Sequence, residues 1–97
     1  MNQIQVQPLA VLDVEESAIW YEAQEIDLGL EFILEIDAAI DYAVEAPKHY
    51  EEIYFGVRRF LLKRFPYAVY FLFENNTIEI IAVLHQHQSP TTWQSRI

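Results

Sequence analysis

Four cations in one short stretch, Arg58, Arg59, Lys63 and Arg64, are the residues of this 97-residue chain best suited to contact a partner. Guanidinium and ammonium groups recognise carboxylates and phosphates. An RNA-cleaving site would need such cations around the scissile phosphate, together with groups that move protons. If the stretch is extended, alternation sends Arg58 and Arg59 to opposite faces, so the two cannot serve one site. The plainer reading is a set of surface ion pairs with acidic helices, worth about 0–1 kcal/mol each. Arg96, near the C-terminus, is a fifth candidate contact.

The other residues with chemistry to offer are His85 and His87. Two apart on a strand, they share a face, where two imidazoles could act as acid and base near neutral pH or as a pair of metal ligands. No third ligand stands nearby and the chain has no cysteine, so no metal site is expected. The structural alternative is a half-buried histidine hydrogen-bonded at a strand end. Trp20, Tyr21 and Trp93 read as packing aromatics, and base stacking on Trp93 or Tyr67 would require a basic groove beside it. No glycine-rich phosphate loop, serine elbow or paired-carboxylate motif occurs, and no cofactor is expected.

Charge limits the partners. The net charge is −9, but residues 1–52 hold thirteen Asp/Glu against Lys48 alone, whereas residues 53–97 hold five Lys/Arg against Glu74 and Glu79. The overall field repels nucleic acid, while the C-terminal half carries a local positive excess. The absence of cysteine suits a reducing cytoplasm. Met1 to Val6 lacks a signal-peptide pattern, and the apolar run from Phe65 to Phe73 is about half the length of a membrane span. A soluble cytoplasmic protein without membrane contact is expected, folded as one domain over residues 1–97.

The elements that must position these residues follow from periodicity. Ile4 to Gln7 alternates as a short strand that Pro8 ends. Leu9 to about Glu25 is helical, with Val11, Val14, Ala18 and Tyr21 on one face. Asp27-Leu28-Gly29 reads as the link to a second helix, about Leu30 to Ala46, with Ile33, Ile36, Ile40 and Ala43 as its buried stripe and Pro47 as its stop. So short a link implies an antiparallel helical hairpin. Tyr54 to about Arg59 is a strand candidate, and Phe60 to Arg64 continues it or turns. Pro66 to Phe73 and Thr77 to about His87 are strands joined by a Glu74-Asn75-Asn76 turn. The second is apolar on both faces, Ile78, Ile80, Ala82 and Leu84 against Ile81 and Val83, as a strand inside a sheet is. Ser89-Pro90 opens a last helical turn through Trp93. The sum is an α+β domain in which an N-terminal strand precedes an antiparallel helical hairpin packed on a small, mostly antiparallel sheet, with a short C-terminal helix.

In this order the chain resembles the RelE/ParE superfamily of type II toxin–antitoxin toxins, also called plasmid-stabilisation proteins. The resemblance rests on Trp20-Tyr21-Glu22, Leu28-Gly29 with Phe32, Pro47 with Tyr50, Gly56-Val57-Arg58-Arg59, Lys63-Arg64-Phe65-Pro66-Tyr67, Ile80 to His85, and Pro90 with Trp93 and Arg96. It covers nearly the whole chain. It implies a RelE/ParE-like fold and a growth-inhibiting toxin held inactive by a cognate antitoxin, as a homodimer or a toxin–antitoxin hetero-oligomer.

The superfamily implies two targets, ribosome-bound mRNA for its endonucleases and DNA gyrase for its ParE-like poisons. The nuclease branch has an arginine where Pro66-Tyr67 stands here, a basic residue where His85-Gln86-His87-Gln88 stands, and a late tyrosine where Trp93 stands. Gln88-Ser89 also replaces the Arg-Asp or Arg-Asn of nearer relatives. Three readings result: a gyrase-directed toxin using Arg58, Arg59, Lys63, Arg64 and Arg96 as contacts; an mRNA endonuclease using His85 or His87; and a non-toxic member that binds the antitoxin.

Overall fold

In the computed structural model, which describes residues 2–97, the chain runs through β1 (Gln3–Val6), α1 (Pro8–Gln24), α2 (Leu28–Glu45), a 3-10 turn over Pro47–His49, β2 (Glu52–Tyr54), β3 (Val57–Leu61), β4 (Tyr67–Glu74), β5 (Thr77–His85) and α3 (Thr91–Gln94). Met1, the first residue of the expected 1–97 domain, lies outside the described residues. The strands form one sheet in the order β1-β5-β4-β3-β2, antiparallel except where β1 runs parallel to β5. This is the α+β architecture that the periodicity predicts. Among the described residues, no helix is long and apolar enough to cross a membrane.

Each face of the sheet has its own apolar layer. Phe60, Val69, Phe71, Ile78, Ile80 and Val83 meet Ala10, Ala18, Phe32, Ile36 and Ala43 of the helical hairpin. Val57, Ala68, Tyr70, Ile81, Ala82 and Leu84 form the opposite layer, closed by Trp93 of α3. Simple alternation would put Ile80 and Ala82 on one face. Instead Tyr70 opposes Ala82 and Phe71 opposes Ile80, leaving Ile81 unopposed. This β-bulge turns Ile81 and Ala82 to the Trp93 side and Val83 to the helices.

The helical hairpin is set by two residues of the Trp20-Tyr21-Glu22 and Leu28-Gly29 phrases. Asp27, not Gly29, takes the left-handed turn conformation, with φ of 71°. The Glu22 carboxylate reaches across from α1 and accepts hydrogen bonds from the N–H groups of Asp27 (2.9 Å) and Gly29 (3.1 Å), capping α2. Gly29 lies in the first turn of α2, where a Cβ atom would sit 2.4 Å from the Ala18 carbonyl oxygen. Glycine is required there for close approach of the helices. On α1 the buried face is centred on Ala10 and Ala18, and Val11 is exposed.

One expected strand divides in two. Phe55 (φ 39°) and Gly56 (φ 86°) both adopt positive φ, which turns the chain back on itself. The stretch starting at Tyr54 is therefore the end of β2, a tight turn, and β3. Gly29→Ala should lower stability by about 2 kcal/mol through overpacking. Calorimetry should show a thermal midpoint several degrees lower, and an unchanged midpoint would rule out the close approach as a constraint.

Candidate interaction surfaces

The basic residues fall into two settings: Arg58 and Arg96 are held internally, whereas Arg59, Lys63 and Arg64 border one groove. Arg58 points to the helix side, where its guanidinium donates to the Tyr50 carbonyl and lies 4.0 Å from the Glu52 carboxylate. Arg59 is exposed and, by strand alternation, projects to the opposite side. Among the described residues, the side chains of Arg59 and Lys63 make no ion pair. Arg64 lies 3.5 Å from Glu31, both well exposed, and its guanidinium stands 5.4 Å from the Phe65 ring centre. Exposed pairs of this kind contribute little stability and leave the cation available.

Arg96 has a different setting. Its guanidinium donates to both carboxylate oxygens of Asp13, at 2.6 and 3.0 Å, and to the Ile81 carbonyl at 3.1 Å. The Asp13 carboxylate also accepts the Val83 N–H at 3.0 Å. Both side chains are nearly buried, 12% and 13% exposed. The hydrogen bonds to Asp13 hold the Arg96 pKa above its ordinary value despite the opposing effect of burial. Arg96 is thus committed internally, and its partner was discernible only as the one acidic residue among the inward positions of α1.

The two histidines stand together at the end of β5, with ring centres 5.2 Å apart. Nδ1 of His85 accepts the backbone N–H of His87 at 3.1 Å, which leaves Nε2 as its other ring nitrogen. The His85 ring also packs edge-on against Tyr67, at 5.4 Å, and Tyr67 against Tyr21. Burial, reinforced by Tyr67, raises the Tyr21 phenol pKa. This strand end adjoins the loop that carries Lys63 and Arg64, where the Gln86 N–H donates to the Pro66 carbonyl at 2.8 Å, whereas Arg58 and Arg59 lie within β3 and Arg96 is bonded to Asp13.

Between α2 and β3 runs a groove of about 890 Å³, walled by Glu35, Ala38, Ala39 and Tyr42 on one side and by residues 59–64 on the other, with His49 and Tyr50 at one end. Glu35 fixes its width by accepting the N–H groups of Lys63 (3.0 Å) and Arg64 (3.2 Å). The apolar lining and the cationic rim of Arg59, Lys63 and Arg64 suit a peptide segment. The sheet edge here is also open. Leu62 donates to the Tyr67 carbonyl, so alternation aims the N–H and C=O of Leu61 away from β4, whereas β2 pairs no farther than Arg58. The groove was not legible in the sequence, because it depends on where β2 stops.

Comparison with known proteins agrees with this architecture. Residues 4–90 match the family model described as ParE toxin of type II toxin-antitoxin system, parDE. Among solved structures, the chain is similar to one described as "Chromosomal ParDE TA system from P. aeruginosa", with a TM-score of 0.75 and 19% identity over 88% of this chain and 96% of that chain. That likeness is one of fold. No curated protein sequence matches the chain significantly.

Arg96→Ala should destabilise the protein by about 3 kcal/mol, because it strands the Asp13 carboxylate. Urea unfolding measures this. A loss below about 0.5 kcal/mol, as at ordinary surface sites, would show that the pair carries no structural load.

Proposed function

The chain belongs to the ParE toxin family of type II toxin–antitoxin systems, and from that premise we propose that it inhibits growth in the cytoplasm by binding a protein target, DNA gyrase, rather than by cleaving RNA. It is the toxin component of its system, with an antitoxin as partner. The observation that carries the choice of target is the internal commitment of Arg58 and Arg96, which leaves three of the five candidate cations exposed. In-line cleavage of RNA requires cations gathered around one phosphate beside a proton-transfer group. Here Arg58 is bonded to the Tyr50 carbonyl, Arg96 is bonded to Asp13, and Arg59 projects away from Arg58. A net charge of −9 also opposes nucleic-acid binding.

The groove between α2 and β3 is the seat for the antitoxin in this reading. An extended segment laid along Leu61 would find unpaired backbone groups, while its apolar side chains would meet Ala38, Tyr42 and Leu62. Acidic residues flanking such a segment would complement Lys63 and Arg64. Arg59, exposed and unpaired, remains the cation best placed for the target.

The test is to induce the toxin without its antitoxin. Growth arrest with inhibited gyrase supercoiling and intact mRNA is expected. Ribosome-associated mRNA cleavage would overturn the choice of target, and unaffected growth would overturn the inhibitory activity itself. Arg59→Ala should weaken the arrest while changing stability by no more than about 0.5 kcal/mol; full arrest by this variant removes Arg59 from the contact surface.

A further inference from the structure

The sharp turn between β2 and β3 has a residue that its geometry disfavours. Two-residue hairpin turns with both central residues at positive φ are the territory of Asn, Asp and Gly. The β4–β5 turn conforms, placing Asn75 at 50° and Asn76 at 58°. The β2–β3 turn instead places Phe55 at 39° ahead of Gly56, and an aromatic residue rarely adopts that conformation. Burial does not explain the choice, since Phe55 is 81% exposed.

The ring is braced from behind. Phe55 packs edge-on against Tyr54 with ring centres 4.6 Å apart, and Tyr54 packs edge-on against Trp93 at 5.5 Å. Trp93 stacks on Tyr70 at 5.0 Å and lies three residues before the Arg96 that is bonded to Asp13. Ile97, 55% exposed, lines the same shallow concavity as Phe55 and Leu72. An aromatic side chain held outward on a rigid support has the properties of an interface anchor.

We propose that Phe55 is the anchor by which the toxin docks on its target, entering an apolar pocket of that protein whose rim is cationic. The inference rests on the protein-target reading above and adds the docking element to it. Exposed Glu51 and Glu52 precede the tip, so a basic rim complements it and a nucleic-acid phosphate does not. The tip precedes β3, whereas the groove assigned to the antitoxin is walled by residues 59–64, from the middle of that strand onward.

Phe55→Asn tests this directly, because asparagine suits the turn while deleting the anchor. The variant is expected to fold with a thermal midpoint equal to the parent or up to about 4–8 °C higher. It should bind the cognate antitoxin with unchanged affinity and lose growth inhibition and gyrase inhibition at least tenfold. Undiminished inhibition overturns the proposal, as does a weakened antitoxin complex or a lower midpoint. If the parent toxin cleaves mRNA and leaves gyrase untouched, the protein-pocket assignment is overturned even where Phe55→Asn is inactive. A parent toxin without effect on growth defeats the inhibitory reading, and the docking proposal with it; undiminished inhibition by the variant defeats the docking proposal alone.

Discussion

The structure depends on one nearly buried ion pair. β1 covers the outer edge of β5 only as far as Ile80, after which the chain leaves the sheet to enter α1. Beyond that point the bulge leaves the Ile81 carbonyl and the Val83 N–H facing no strand, and buried backbone groups without partners are costly. Arg96 takes the first, Asp13 the second, and the two bond each other at 2.6 Å. A single interaction therefore ties the first helix, the bulged strand and the C-terminal turn across 83 positions of sequence. Because Trp93 lies within that turn, the same pair sustains the apolar layer on the sheet's second face.

The two edges of the sheet are consequently unlike. On the β5 side, a short parallel strand and the Asp13–Arg96 pair occupy the edge. On the other side β2 contributes only three residues and ends opposite Val57 and Arg58, leaving the rest of β3 uncovered beside α2. An exposed strand edge beside an apolar groove invites a partner strand or helix. That asymmetry separates the proposed antitoxin seat from the hairpin tip, which precedes the same strand. The acidic helices contribute a field that disfavours nucleic acid, in keeping with the protein target proposed above.

Much of this could be read from residue order alone, and the exceptions have physical causes. The helices were legible because Phe32, Ile36 and Ala43 recur at helical spacing, and the long strand because Tyr67 to Phe73 is an unbroken run rich in aromatic residues. The split of the strand at Phe55 was not, since the usual signals for a tight turn are Asn or Asp before Gly, and Phe supplies neither. The bulge at Ile81 was hidden because apolar residues on both faces leave register unmarked. Among the site residues, the opposed directions of Arg58 and Arg59 followed from alternation, but the pairing of Arg96 with Asp13 required the tertiary fold. The groove is a property of where β2 ends and how Glu35 holds the loop after β3, neither of which has a local signature.

Hydrogen exchange at two backbone amides, with and without the cognate antitoxin, tests the unequal edges most directly. The Val83 amide, bonded to Asp13, should exchange slowly in the free toxin and in the complex. The Leu61 amide should exchange rapidly in the free toxin and at least tenfold more slowly once the antitoxin is bound. Rapid exchange at Val83 in the free protein, or an unchanged rate at Leu61 in the complex, would contradict a fold that closes one edge with an ion pair and reserves the other for its partner.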